Sequence, residues 1–186
     1  TILPNRNYVV YSPDWSNGAA TRAGAVTWGN GATGSAGVIS SANSLVGSQT
    51  DDQVGEVVVD LDNSNYVAIS AAWANGPAQE AGAVTWGSGT TGVSGVVGAS
   101  NSLVGSQAGD GVGGEDIRTL ANGNYVVLSP DWANGSAEKA GAVTWGDGAR
   151  GVAGVLTAQN SLVGAQAGDQ VGDLGVMHLA NGNYVI

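Results

Sequence analysis

One tryptophan position in each of three similar segments has the residue types needed to bind a sugar. The tryptophan there follows Ser-Pro-Asp or Ala-Ala and precedes an Asn-Gly pair, which predicts a turn near the end of a strand. Functional side chains concentrate in such loops. An indole ring could stack on a sugar ring while a neighbouring carboxylate accepts hydrogen bonds from its hydroxyls. The candidate ligand-binding residues are therefore Asp14, Trp15, Trp73, Asp131 and Trp132.

A structural role for these tryptophans is the alternative, because a tryptophan at the edge of a sheet can also seal the contact with a neighbouring unit. Ala72 replaces the aspartate in the middle segment, so a site that requires the carboxylate would be absent there. A second tryptophan position, in Gly-Ala-Val-Thr-Trp-Gly, lies next to valines. We expect these residues to pack inside the fold: Trp28, Trp86 and Trp145.

No residue pattern indicates catalysis. Each segment contains Gly-x-Gly-x-x-Gly, beginning at Gly29, Gly87 and Gly146, but β-like residues follow instead of the helix that a dinucleotide site requires. The motif therefore predicts a tight hairpin turn. His178 is the only histidine, the equivalent residues of the other copies are not histidines, and there is no Gly-x-Ser-x-Gly nucleophile elbow. We expect no catalytic residues, no cofactor and no enzymatic activity.

The composition excludes several kinds of partner. The chain has 186 residues, of which 15 are acidic and 5 are Lys or Arg, giving a formal net charge of −10. Phosphate binding needs clustered basic residues, so we expect no nucleic-acid partner. The small number of basic residues also argues against binding to an anionic membrane surface, and no apolar run is long enough for membrane insertion. Cysteine is absent, which excludes disulfides and thiolate metal sites.

The three segments are copies of one repeat. Asn-Tyr-Val recurs at intervals of 58, 59 and 59 residues, beginning at Asn7. Gly-Ala-Val-Thr-Trp-Gly follows 17 residues after the asparagine, and Asn-Ser-Leu-Val-Gly follows 36 residues after it, in three copies. Fixed offsets of this kind indicate a tandem array. The predicted units are residues 1–64, 65–123 and 124–182, with the start of a fourth at 183–186.

Each repeat is predicted to be all-β. In the third copy, residues 124–129 and 141–145 are short β-rich runs, and residues 151–157 and 171–179 are weaker candidates. Only residues 134–140 suggest a helical turn. Four short strands in each period, apolar on both faces, predict four-stranded antiparallel blades of a β-propeller-like array. A β-solenoid is the alternative, although its coils usually run shorter and the period contains no convincing sub-repeat.

The order of the motifs resembles the FG-GAP repeat of integrin α-chain propellers and their bacterial relatives. Val-Gly pairs at Val54, Val112 and Val171 stand where that family has Phe-Gly. Ser12-Pro13 and Ser129-Pro130 stand where it has Ala-Pro, and Gly-Ala-Val-Thr-Trp matches its last strand. The resemblance covers essentially the whole chain. It implies a β-propeller, commonly of seven blades, that serves recognition and adhesion.

The calcium loops of that family are mostly eroded in this chain. The family sequence Asp-x-Asp-x-Asp-Gly supplies several carboxylates because Ca²⁺ takes about 6–8 oxygen ligands. The corresponding hairpins here offer too few acids, and only Asp60 and Asp62 keep the required spacing. We therefore expect no metal site, and residual calcium binding at these two residues stays open.

The sequence favours a non-catalytic extracellular repeat module for adhesion or carbohydrate recognition, with a glycan or another cell-surface molecule as ligand. A structural spacer or scaffold repeat of a large surface or fibre-forming protein is the alternative. We expect an extracellular or cell-surface location, because acidic, cysteine-free, Gly-rich chains are common among bacterial surface proteins. Known propellers close with about 4–8 blades, so three copies are too few for a ring. The chain is therefore expected to be a fragment or a subunit that associates with other repeats or copies.

Overall fold

The protein consists of short β-strands joined by turns. A computed structural model describes residues 1–114, 116–179 and 183–186, and these ranges contain no helix. Accordingly, no helix in the described ranges is long and apolar enough to cross a membrane. Strands form where valine, isoleucine, tyrosine and threonine cluster, because these side chains suit a pleated, half-buried surface. The strands are β1 Tyr8–Ser12, β2 Ala25–Gly29, β3 Leu45–Val46, β4 Val57–Asp60, β5 Tyr66–Ser70, β6 Ala83–Gly87, β7 Gly95–Val96, β8 Leu103–Val104, β9 Asp116–Thr119, β10 Tyr125–Ser129, β11 Ala142–Gly146, β12 Gly154–Val155, β13 Leu162–Val163, β14 Met177–His178 and β15 Tyr184–Val185.

Each repeat contributes one antiparallel meander. The second repeat has the order β4–β5–β6–β8, and the third has the equivalent order β9–β10–β11–β13. The first repeat has β1–β2–β3, with Ile2 bridged to Tyr8 on the outer side. β14 and β15 form a separate two-stranded sheet that begins a fourth copy. The all-β tandem array predicted from the sequence is therefore confirmed. In the second and third repeats, the meander begins with a strand that precedes Asn-Tyr-Val, and we assign that strand to the repeat that follows it.

Successive repeats also share strands. β7 of the second repeat pairs in parallel with β3 of the first, and β12 of the third pairs in parallel with β8 of the second. The main sheets therefore contain four, five and four strands, instead of four antiparallel strands each. Flanking bonds extend the first pair, from Gly95 N to Ser44 O at 3.0 Å and from Val97 N to Val46 O at 3.1 Å. The parallel strand covers an edge whose backbone groups would otherwise be unpaired.

The strand predictions held best for the long β-rich runs. As predicted, residues 124–129 contain β10, and residues 141–145 contain all of β11 except its last residue. The weaker candidates at 151–157 and 171–179 contain only the two-residue strands β12 and β14. The sequence does not predict β13, because two residues are too few to show an alternation of apolar and polar side chains.

The prediction of a helical turn at residues 134–140 is wrong. Asn134 and Ala137 face each other across a tight hairpin, with N–O distances of 3.0 and 3.1 Å in the two directions. Gly135 has a φ of +64°, which lies in the left-handed region. Glycine adopts this conformation readily because it lacks a Cβ, and the chain reverses there instead of continuing as a helix.

The Gly-x-Gly-x-x-Gly motif forms a hairpin turn, as predicted. Tyr66 is paired with Gly87 across β5 and β6, and a Cβ on Gly87 would overlap the tyrosine ring. The last glycine closes the turn, since Gly92 N donates to Ser88 O at 2.8 Å. Burial of the ring raises the pKa of Tyr66 to about 12, so its hydroxyl is neutral at physiological pH.

The hydrophobic clusters lie between repeats. All five residues of β5 are buried. Tyr66 and Ala68 belong to a cluster shared with the first repeat, whereas Val67 and Ile69 belong to one shared with the third. This division follows from the alternation of side chains along a strand. The sheet of the second repeat is therefore covered by a neighbouring repeat on each of its faces.

Replacing the glycine beneath the tyrosine ring should be strongly destabilising. We expect Gly87→Ala to lower the free energy of unfolding by about 3 kcal/mol, the upper part of the usual range for overpacking, because the methyl group displaces Tyr66 or its strand. Gly98→Ala is the control, since a Cβ there meets no atom within 4 Å and the residue is not in the left-handed region. Chemical denaturation measures both variants, and equal stabilities would contradict this packing.

Candidate functional site

The five candidate ligand-binding residues do not form one site. Trp73 and Trp132 are buried, with 4% and 5% relative exposure, and each lies in a cluster between two repeats. Trp15 is half-buried, and Asp14 and Asp131 are exposed. Trp73 and Trp132 are therefore not open to solvent, and ligand binding by the five residues stays a prediction. The rings of Trp73 and Trp132 take the alternative position, in the contact between units, because the preceding repeat covers them.

Asp131 is paired with a cation from the same loop. Lys139 Nζ lies 2.9 Å from Asp131 Oδ1. The hydrogen bond and the negative charge of Asp131 raise the pKa of Lys139. Both side chains are more than half exposed, so the pair contributes little to stability.

The loop of Trp73 is held by the repeat that precedes it. Asp52 Oδ1 accepts a hydrogen bond from Ala74 N at 3.1 Å. Asp52 Oδ2 accepts hydrogen bonds from Ser48 N and Gln49 N at 2.8 Å each. Gln49 Nε2 donates to Ala74 O at 3.1 Å. One carboxylate and one amide of the first repeat thus bind both backbone groups of the residue after Trp73.

The same carboxylate contact recurs between the second and third repeats. Asp110 accepts a hydrogen bond from Ala133 N, the residue after Trp132, at 3.1 Å. Within its own loop Asp110 accepts bonds from Ser106 N and Gln107 N at 2.8 Å each. Asp110 is 1% exposed. A buried carboxylate is tolerated only where hydrogen bonds replace its water, and these three backbone donors do so.

Asp169 is the equivalent carboxylate of the third repeat, and it lacks the backbone N–H donor that the following repeat supplies to Asp110. It accepts hydrogen bonds from Ala165 N and Gln166 N at 2.9 Å each. The described part of the chain supplies no equivalent of Ala133 N, and Asp169 is exposed. The contact with a following repeat, rather than the aspartate's own loop, is therefore what buries this side chain.

A single backbone carbonyl forms a second polar contact between repeats. Gly89 O, in the hairpin turn of the second repeat, accepts hydrogen bonds from Asn5 Nδ2 and Asn7 Nδ2 at 2.8 Å each. Trp28 Nε1 donates to the same oxygen at 3.1 Å. A carbonyl oxygen has two lone pairs, so three donors saturate it. The contact recurs on Gly148 O, which is bound by Asn63, Asn65 and Trp86.

We call the whole contact between one repeat and the next the seam: the parallel strand pair, the aspartate contact, the carbonyl contact and the shared hydrophobic cluster. A further bond crosses each seam, from Gly55 N to Ser70 Oγ and from Gly113 N to Ser129 Oγ, both at 3.1 Å. Of the second set of tryptophans, which we expected to pack inside the fold, Trp28 and Trp86 belong to the seam. Trp86 is half-buried, whereas Trp145 is 46% exposed.

Sequence reasoning missed the seam aspartates. They occur in Gln-x-x-Asp, which recurs at Gln49, Gln107 and Gln166. This fixed recurrence was the available signal. It is easily passed over, because an aspartate in a polar, Gly- and Ser-rich loop is usually solvated.

The described residues contain no arrangement suited to a metal ion. Within residues 1–114, 116–179 and 183–186, no three His, Asp or Glu side chains are grouped to hold one. Asp60 ends β4, and His178 lies in β14. That the chain has no metal site stays a prediction, and residual calcium binding at Asp60 and Asp62 stays open.

Comparison with known families identifies the repeat. Three consecutive segments, residues 2–56, 60–114 and 119–173, match a family described as a repeat of unknown function (DUF5650). The matched segments each begin at the outer strand or its bridge, ahead of Asn-Tyr-Val. A search of curated proteins gives no match.

Two equivalent aspartates allow a matched test of the seam. We expect Asp110→Ala to lower the free energy of unfolding by about 2–3 kcal/mol, because it leaves three partly buried N–H groups without an acceptor. Asp169→Ala should cost less than about 1 kcal/mol, since the N–H groups it frees can bind water. Denaturant titrations of the two variants measure the difference, and equal losses would show that the seam does not depend on the carboxylate.

Proposed function

The chain belongs to the DUF5650 family of repeats, and we propose that it is a non-catalytic structural scaffold in which each repeat locks onto the next. The observation that supports this function most directly is the use of the recurring side chains. In the first two repeats, the asparagines of Asn-Tyr-Val, the tryptophans of Gly-Ala-Val-Thr-Trp-Gly and the Gln-x-x-Asp pairs make contacts across the seam. Trp73 and Trp132 lie in the hydrophobic clusters of the two seams. Selection for the contact between successive repeats would by itself retain these residues.

A repeated binding site would use its recurring side chains differently. Such a site needs aromatic or polar groups that are open to solvent in every copy. Here Trp73 and Trp132 are enclosed by the preceding repeat, and Asp131 is paired with Lys139. Catalysis, in turn, usually needs one asymmetric group of residues, whereas the seam repeats the same group twice. Both considerations favour a scaffold over a lectin or an enzyme.

The wider setting of this scaffold is part of the proposal. The acidic, cysteine-free composition supports an extracellular or cell-surface location. The antiparallel order β4–β5–β6–β8 is compatible with the propeller blade that the FG-GAP resemblance implies. The parallel strands β7 and β12 add an edge contact between units that a stack of separate blades does not require. Propeller closure, FG-GAP kinship and adhesion therefore stay predictions.

Carbohydrate recognition is the competing function, and Trp15 is the residue that could still support it. Its ring is half-buried, and Asp14 beside it is exposed. On a glycan array the scaffold proposal expects no signal above background for the unmodified chain. A specific glycan signal that disappears in Trp15→Ala and persists in Trp145→Ala would overturn it in favour of a lectin.

Rigidity between repeats is the property that a scaffold must have, and the absence of cysteine makes it measurable. Spin labels at Ser41→Cys and Ala158→Cys occupy equivalent exposed turns of the first and third repeats. Pulsed electron paramagnetic resonance should give a narrow distribution of distances between them. Trp86→Ala should broaden it, because that ring and its bond to Gly148 O lie in the second seam.

Trp145→Ala is the control for this measurement, since the equivalent tryptophan of the third repeat lies outside both internal seams. It should leave the distance distribution narrow. A broad distribution in the labelled chain with both tryptophans intact would show flexibly joined repeats and would contradict the proposed function.

A further inference from the structure

We propose that the side-chain amide of Asn65 couples the two seams, so that opening one of them weakens the other. This inference rests on the proposed function, because it concerns how the contacts of the scaffold act together. Asn65 is the asparagine of Asn-Tyr-Val in the second repeat, whose sheet has a neighbour on each face. The oxygen of its amide supports the first seam, and the nitrogen belongs to the second.

The oxygen of the Asn65 amide holds the hairpin turn that the first repeat binds. Asn65 Oδ1 accepts a hydrogen bond from Gly89 N at 2.9 Å. The carbonyl oxygen of the same glycine accepts bonds from three side chains of the first repeat: Asn5, Asn7 and Trp28. The N–H and the carbonyl of Gly89 are joined through one Cα, so a displacement of Asn65 Oδ1 changes the position of the carbonyl. The first seam therefore depends on the position of Asn65.

The nitrogen of the same amide is bonded in the second seam. Asn65 Nδ2 donates to Gly148 O of the third repeat at 2.8 Å. Resonance keeps an amide planar, so its oxygen and its nitrogen move together. Trp86 Nε1 donates to the same carbonyl at 3.0 Å and lies three residues before Gly89 in the chain. One hairpin of the second repeat therefore makes contacts in both seams.

Close packing leaves little room for Asn65 to move without Gly89. A Cβ on Gly89 would overlap the backbone oxygen of Ser64, the residue before Asn65. The same Cβ would lie 3.3 Å from Asn5 Nδ2 of the first repeat. The glycine is thus enclosed between its own repeat and the donors of the preceding one. Closely packed groups transmit a shift to their neighbours, so a change at Asn65 reaches the first seam.

The same arrangement in each repeat makes one series of hydrogen bonds along the array. In the first and third repeats, Asn7 Oδ1 and Asn124 Oδ1 each accept a bond from a glycine N–H at 3.0 Å. From donor to acceptor, the series runs in the order Gly31, Asn7, Gly89, Asn65, Gly148 and Asn124. Every donor points toward the third repeat, and hydrogen bonds in such a series polarise one another. Asn65 is the member of this series that joins the two seams.

Amide hydrogen exchange of the full chain, followed by NMR, tests the coupling because each seam has its own exchanging groups. Gly95 N and Val97 N donate across the first seam, and Gly154 N and Leu156 N donate across the second. Asp110→Ala removes a contact of the second seam and should speed exchange there directly. Coupling predicts that exchange at Gly95 and Val97 also becomes faster, by at least about twofold.

Two substitutions of Asn65 test whether this residue carries the coupling. Asn65→Ala removes both bonds, whereas Asn65→Asp keeps an oxygen for Gly89 N but has no N–H for Gly148 O. In either background, adding Asp110→Ala should no longer change exchange in the first seam. Exchange in the first seam should also be slower in Asn65→Asp than in Asn65→Ala, because the aspartate still holds Gly89. Asn75→Ala is the control, since that amide bonds within its own repeat, and the first seam should still respond to Asp110→Ala.

Two results would overturn the proposal. One is exchange at Gly95 and Val97 that does not respond to Asp110→Ala when Asn65 is intact. The other is a response that persists in both Asn65 variants, because the buried strand β5 would then carry the coupling. In both cases a narrow distance distribution between the spin labels would leave the scaffold function standing, whereas a broad one would contradict that function itself.

Discussion

The rest of this fold depends on the pairing of one strand edge, that of a strand only two residues long. Leu103 and Val104 form the inner strand of their sheet, and a strand this short cannot shield its own backbone groups from water. The next repeat supplies the missing partner through β12. Because the partner comes from another repeat, the sheet of one unit is completed only when its neighbour is in place. The array is therefore a chain of mutually dependent units, whose stability is a sum of repeat and seam terms.

The polar contacts of the seam fix how one repeat sits on the next. Apolar side chains alone would allow neighbouring sheets to slide, since hydrophobic burial has no direction. Asp110 and Gly148 O remove that freedom, because each must meet donors that a shifted neighbour would not present. A misplaced neighbour would leave a carboxylate buried without its full set of hydrogen bonds, which raises the free energy of the folded state. The same residues that stabilise the seam thus also select its register.

The sequence revealed the parts of the fold that depend on local pattern. Asn-Tyr-Val and Gly-Ala-Val-Thr-Trp-Gly carry enough β-rich residues to predict β10 and β11, and Gly-x-Gly-x-x-Gly predicts its own turn. The parallel strands could not be predicted, because Gly154 and Val155 become a strand only through a partner some fifty residues away. The burial of Trp132 could not be predicted for the same reason. Its flanking turn residues indicate a loop, but the repeat before it encloses that loop.

One turn of the repeat differs in charge from copy to copy while its backbone geometry stays the same. Arg22, Glu80 and Lys139 occupy one equivalent turn, each with a φ between +51° and +53°. A side chain in this left-handed conformation costs about 1 kcal/mol or more, yet none of the three positions has the glycine that would relieve it. The backbone carbonyls keep a common role, since each accepts a hydrogen bond at 3.0 Å, from Gln53, Gly111 and Gln170 respectively. The charge changes sign twice along the array while the backbone does not change. The charge of the side chain at this turn is therefore independent of the backbone geometry that the three copies share.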